Sequence, residues 1–387
     1  MSDNHFNKTF SSDGNTSLNA CVGNNGWSDL NTYRKGYDEA VATMALAAIN
    51  HQVHIDTIIY PLVFSARHSI ELFLKHAIQA IGRSRKNLAV TDDKLIKTHN
   101  LHDLWELFKD SAEKFDRRLN SFITNSNEIV MDFSAIDLTA ETFRYPYSQN
   151  DEKHLKKTPV INIGIFYTRY KELSDNFNKT SFILENLIDE YKKGTFTKNL
   201  SRNDINEISN RIPIKSEWES EPFIQEKNKI ITEYNLSNRN FSEALNIIKN
   251  HREFSSNIGV EIPINYITPT KLDLFIKEWK TTQELISKID HDYGMNPTTN
   301  KLELDFKALI HNNYTHEEIA DLSTLLELGS LQYYSEDYEY LLKDFLNGNT
   351  EELIWRLITS RSIMQSFEES LSRLGQTRLE NVMEKHS

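Results

Sequence analysis

Arg67, His68, Glu71 and Lys75 stand inside the otherwise strongly apolar helix pattern of Tyr60 to His76. At about 100° per residue they fall within one arc of roughly 100° on a single helix. The opposite arc carries Val63, Ala66, Ile70, Phe73, Leu74, Ala77, Ala80 and Ile81, a stripe that belongs against a core. A histidine can take a proton from a hydroxyl, and an arginine can steady an oxyanion, so Arg67 and His68 are candidates for metal-free cleavage of a phosphodiester. Lys75 would then bind phosphate and Glu71 would hold Arg67 or Lys75. The same spacing also suits ordinary ion pairs one turn apart on a solvated face.

Other positions carry weaker signals. His99, His102 and Asp103 stand at metal-compatible spacing, but Thr98, His99 and Asn100 equally suit the start of a helix, and no metal is expected. Arg144 lies between Phe143 and Tyr145, and Pro146 favours an extended backbone at Tyr145. Its guanidinium could stack on a ring, grip a phosphate, or anchor a loop through Glu71 or Asp103. The pairs His51–His54 and His311–His316 read as structural. The stretch 333–340, four tyrosines interleaved with acids, reads as a packing or protein-facing surface. Gly-Lys-Ser/Thr and Gly-x-Ser-x-Gly are absent, so nucleotide-loop and esterase chemistries are not expected, and no cofactor is implied.

Helical periodicity pervades the elements that must position these residues. Helices are predicted over 33–52, 54–81 with Pro61 as a kink or late start, 101–119, and from 160 or 167 to 191. In the second half they are predicted over 241–258, 271–289, 301–311, 316–328, 336–347 and 351–373. Alternating strand patterns are rare, no fixed-period repeat is present, and the fold class is all-α. Residues 1–30, rich in Ser, Asn, Asp and Gly, read as a disordered tail; 31–195 read as one helical bundle and 196–387 as a second helical domain.

The chain has 387 residues, 39% hydrophobic, enough for one large core or two. No run approaches a membrane span and the N-terminus has no signal-like pattern, so no membrane partner is expected. Cys21 is the only cysteine, which excludes an intrachain disulfide and suits a cytoplasmic protein. The net charge of −12 is uneven: residues 1–200 carry −1 and 201–387 carry −11. Any nucleic-acid contact, RNA above all, is therefore expected on the first half, and a protein partner on the acidic second half.

The segments Arg67-His68-Ser69-Ile70-Glu71-Leu72-Phe73-Leu74-Lys75, His99-Asn100-Leu101-His102-Asp103-Leu104-Trp105 and Phe143-Arg144-Tyr145-Pro146 resemble the HEPN superfamily. The likeness, over roughly residues 33–195, is to bacterial members of toxin–antitoxin and phage-defence systems. It implies a helical bundle that forms a homodimer, binds RNA, and cleaves it without a metal, acting as an endoribonuclease. Active members pair an arginine with a histidine five to seven positions later, and this chain has no such pair: Arg67 and His76 are nine apart. On the resemblance, Arg67 and His68 are the catalytic candidates, with Glu71, Lys75, His99, His102, Asp103 and Arg144 as substrate-binding or supporting residues. A non-catalytic module that dimerises and regulates a partner effector is the alternative.

Overall fold

The structure, a computed structural model, describes residues 9–26, 29–90, 97–138, 140–148, 151–289 and 297–386. Among these the fold is all-α, with sixteen α-helices and a single isolated bridge between Tyr147 and Lys153. Residues 9–26 of the expected tail form two short 3₁₀ turns without a buried side chain, and the tail's first eight residues lie outside the described set. The chain divides into two compact units, residues 1–189 and 190–387.

In the first unit, α1 (Leu30–Ile49) starts where the Asp29 carboxylate accepts from the Thr32 amide. It packs along α2 (Ile55–Ser84), which carries Pro61 within it. Asn100 opens α3 (Leu101–Phe115) by accepting from the amides of His102 and Asp103. Capping of this kind satisfies amides that have no partner inside the helix. The helix ends at Phe115, earlier than its periodicity predicts, because the buried Asp116 takes an extended backbone and its carboxylate accepts from the Arg118 amide. A helix absent from the sequence reading, α4 (Asn120–Ile136), follows at once, and α5 (Ile163–Lys192) closes the unit. Between α4 and α5 the chain crosses as a strap without regular structure.

Aromatic contacts organise this core. Phe73 of α2 stacks on Phe177 of α5 with ring centroids 4.0 Å apart, while Phe108 of α3 and Phe122 of α4 meet it edge-on or tilted. Such pairs add about 1 kcal/mol each beyond the area they bury. A second cluster of Val41, Ala45, Leu62, Ala66 and Tyr170 ties α1, α2 and α5 together. Beside it the Asp38 carboxylate accepts from Arg34 at 2.6 Å, Ser174 at 3.0 Å, Ser69 at 2.5 Å, and the Tyr170 hydroxyl. One acid thus joins three helices.

The second unit contains α6 (Arg202–Arg211), α7 (Glu221–Glu233), α8 (Asn238–Asn250), α9 (Arg252–Asn257), α10 (Pro269–Ile289), α11 (Pro297–Asn313), α12 (His316–Ser330), α13 (Asp337–Leu346), α14 (Thr350–Thr359), α15 (Ile363–Arg373) and α16 (Thr377–Glu384). Two predicted helices are each split. The 241–258 helix breaks at His251, whose imidazole caps α9 by accepting from the Phe254 amide, and the 351–373 helix breaks at Ser360–Ser362. The core comprises one cluster over α6–α9 and a larger one over α10–α16. Gly329 of α12 lies so close to α15 that a Cβ there would sit 1.8 Å from the Ser366 carbonyl oxygen.

Candidate functional site

Arg67, Glu71 and Lys75 share a face of α2, as their spacing predicts, but that face is not solvated. The Arg67 and Glu71 side chains are 1% and 3% exposed. Arg67 Nε donates to the Asp137 carbonyl at 3.0 Å, Nη1 to Glu71 at 2.9 Å, and Nη2 to the Leu138 carbonyl at 3.2 Å and to the His99 carbonyl. The Asp137 carboxylate lies 3.7 Å from Nε. All three guanidinium nitrogens are engaged inside the chain. Arg67 therefore pins the start of the strap and the approach to α3, and presents nothing to a phosphate.

Glu71 is the centre of this cluster. One carboxylate oxygen accepts from Arg67, and the other accepts from Lys75 at 2.9 Å and from His99 Nδ1 at 2.8 Å. Burial alone would raise its pKa; the hydrogen bonds and charge of Lys75, with those of Arg67 and His99, prevail and hold it at about 2. An ionised carboxylate only accepts, so His99 Nδ1 carries the hydrogen and Nε2 is the basic nitrogen of the neutral ring. The His99 side chain is 65% exposed and that of Lys75 14%. A buried acid orienting an outward imidazole, with an ammonium beside it, is a general-base arrangement. The periodicity of α2 alone could not show it, because His99 arrives from 28 residues away.

His68 departs from the expected site. Its ring stacks on Phe64 at 5.9 Å and meets Tyr37 edge-on at 4.7 Å, half-buried, and that burial lowers its pKa. It is a ring packed between aromatics, and no hydrogen bond joins it to Glu71, although the Glu71, Arg67, Lys75 and His99 charges act on it. His102 and Asp103 are exposed on the first turn of α3, 3.9 Å apart, and do not join the cluster. The expected loop anchor at Arg144 forms differently: its Nε donates to the Ala140 carbonyl, and its guanidinium lies 5.6 Å from the Phe64 ring and 5.7 Å from that of Tyr145. Neither Glu71 nor Asp103 holds it. Arg144 lines an open groove of about 830 Å³ with Lys153, Lys156, Tyr60, Phe143 and Tyr145.

Two further polar constellations escaped the periodicity, because their members are scattered in sequence. The Asp38 network is buried structure. In the second unit His251, Glu253 and Glu336 bring ligand-type atoms within 4.8 Å of one another. Arg202 bridges both carboxylates, at 2.8 Å to Glu336 and closely to Glu253, and burial is overcome so that Glu336 is held far below the usual carboxylate range. His251 Nδ1 accepts from the Phe254 amide, so Nε2 carries the hydrogen and meets Glu336 at 3.0 Å. With its lone pairs spent on an arginine and an amide, the trio fits an ion-pair junction better than a metal centre. The histidines of the 311–316 pair, the first exposed and the second half-buried, likewise bond to neighbours: His311 to Glu351, His316 to Thr350 and the Leu346 carbonyl. No family model, no curated protein and no solved structure matches this chain.

Proposed function

We propose that the protein binds single-stranded RNA and cleaves it without a metal, with the roles assigned differently from the Arg67–His68 pair suggested by adjacency. The Glu71–His99 contact carries this reading, because it sets an exposed imidazole in one tautomer beside Lys75. His99 Nε2 takes the proton of a ribose 2′-hydroxyl, and the oxygen attacks the adjacent phosphorus. The 5′-oxygen leaves with a proton from solvent, and a 2′,3′-cyclic phosphate remains. Lys75 offsets the charge of the phosphorane, and Glu71 is the positioning residue. Arg67 and His68 support the site through the strap and the Phe64–Tyr37 packing. Arg144, Lys153 and Lys156 supply phosphate contacts, and Tyr60 and Tyr145 faces on which bases stack. The resemblance to HEPN proteins fits a toxin or phage-defence setting and a homodimer.

The test is incubation with total RNA in EDTA. His99→Gln should abolish cleavage while retaining RNA, His68→Phe should leave cleavage within a few-fold, and cyclic-phosphate ends should accumulate. Cleavage that survives His99→Gln would refute the assignment. A second reading, a non-catalytic interaction module, is favoured by Trp355 and Tyr340, which are 54% and 68% exposed on the acidic second unit. It leads if RNA is neither cut nor retained.

A further inference from the structure

The strap between α4 and α5 lies over three adjoining spaces. The cationic groove is one of them. A second space of about 580 Å³ is lined by Ile55, Ile59, Leu155 and Ile163, and a narrower slot of about 170 Å³ by Val63, Phe133, Ile136, Ile161 and Phe166. Phe143 and Thr158 line all three, Tyr60, Leu155 and Pro159 are shared by the first two, and Ile161 by the second and third. Arg144, Lys153 and Lys156 border the first of these spaces, and mostly apolar side chains border the third.

The strap holds itself there against local preference. Ala140, Asp151 and Leu155 have φ of +68°, +59° and +57°, three of the five non-glycine residues in the left-handed region among the described residues. His154 Nε2 is buried with no hydrogen-bond partner. Strained backbone and an unpaired polar atom concentrated on one segment mark a place where something other than packing has shaped the chain.

We propose that these linked spaces bind an amphipathic anion: a carboxylate or phosphate head on Arg144 and Lys153, with an unbranched acyl chain passing Phe143 into the apolar slot. Charge complementarity fixes the direction. Arg144 bonds the Ala140 carbonyl and carries no carboxylate partner among its contacts, whereas Lys156 is already 3.8 Å from Glu152. Asp132 and Asp137 border the slot and would repel the head. The proposal stands on the apolar slot and does not rest on RNA cleavage.

A chain-length series on the full-length protein tests it. Butanoate, hexanoate, octanoate and decanoate, below their micellar concentrations, are titrated by calorimetry alongside 1-octanol and phosphatidylglycerol vesicles. Affinity should rise three- to fourfold per CH₂, then level off once the slot is filled. Octanoate should bind at least tenfold tighter than 1-octanol, and Arg144→Gln should remove that preference without changing 1-octanol binding. Ile161→Trp, with an unchanged circular dichroism spectrum, should flatten the series while butanoate still binds. Affinity independent of chain length, equal binding of octanoate and octanol, or binding to vesicles alone would overturn the proposal. A protein that cleaves RNA but gives no calorimetric binding of octanoate would overturn it while leaving the ribonuclease reading intact.

Discussion

Replacing Glu71 by Gln tests whether the α2 cluster is a structural keystone. The substitution keeps the shape and one acceptor oxygen, but strands the Arg67 charge in a site where its side chain is 1% exposed. Removing one partner of a buried pair costs about 3–5 kcal/mol, because the remaining charge is uncompensated. The low end applies here, since the Asp137 carboxylate at 3.7 Å and three carbonyls stay with Arg67. The acid's titration gives a second route to the magnitude. Its pKa falls from 4.5 to about 2 in the folded chain, which corresponds to about 3 kcal/mol. The sign follows from that direction: a carboxyl whose pKa is depressed by folding stabilises fully above the unfolded value, and the contribution is lost as pH falls from 4.5 towards 2. Hydrogen exchange across residues 62–81 reads the local free energy without assuming that both units unfold together. Glu71→Gln should speed exchange about a hundredfold at pH 7, and the difference from wild type should shrink as the pH is lowered to 3. A change below fivefold at pH 7, or a gap that does not shrink by pH 3, would refute the keystone argument.

Three other outcomes follow from the same geometry. His68→Phe fills the aromatic stack with a ring that cannot protonate; because burial lowers the His68 pKa, wild type should lose stability as pH falls below 6.5 and the variant should lose less, measured by thermal melts from pH 7.5 to 5. Asp38→Ala leaves Arg34, fully buried, without its carboxylate and three hydroxyls without their acceptor, and should destabilise the first unit by about 4 kcal/mol, with Arg34→Met recovering part in a double-mutant cycle. Gly329→Ala must push α12 from α15 and should cost the second unit about 3 kcal/mol by urea titration; a neutral result would mean that the two helices separate freely.

How far the residues spoke for themselves differs from element to element. The apolar stripe of α2 and the Asn100 cap were legible because both are local: a face is set by helical period, and a cap by one side chain and the next two amides. The burial of Arg67 was not, since period places a side chain on a face without saying what covers it. The cover is the carbonyls of His99, Asp137 and Leu138, 32 to 71 residues away. α4 escaped notice because Asn120, Ser121, Thr124, Asn125, Ser126 and Asn127 are weak helix formers, and only the docking of Phe122, Ile129 and Val130 onto the core holds them helical. His251 looked like one more residue in a continuous helix, yet its imidazole serves as a cap, a role usually taken by Ser, Thr, Asp or Asn. Among the site candidates, His99 is the exposed imidazole that Glu71 orients and His68 is the one packed between aromatic rings, a difference that no helical period carries.

The convergence of α1, α2 and α5 on Asp38 also has a consequence in time. Synthesis delivers Asp38 and Ser69 about a hundred residues before Tyr170 and Ser174, which at roughly 5–20 residues per second is on the order of 5–20 seconds. During that interval the α1–α2 pair has a charged network lacking two of its donors and an apolar seam, Val41, Ala45, Leu62 and Ala66, lacking the ring that covers it. The nascent pair is therefore a waiting surface, open to chaperones and to wrong partners, until α5 emerges from the ribosome and closes it. Slow synthesis between residues 90 and 160 would prolong its most exposed state.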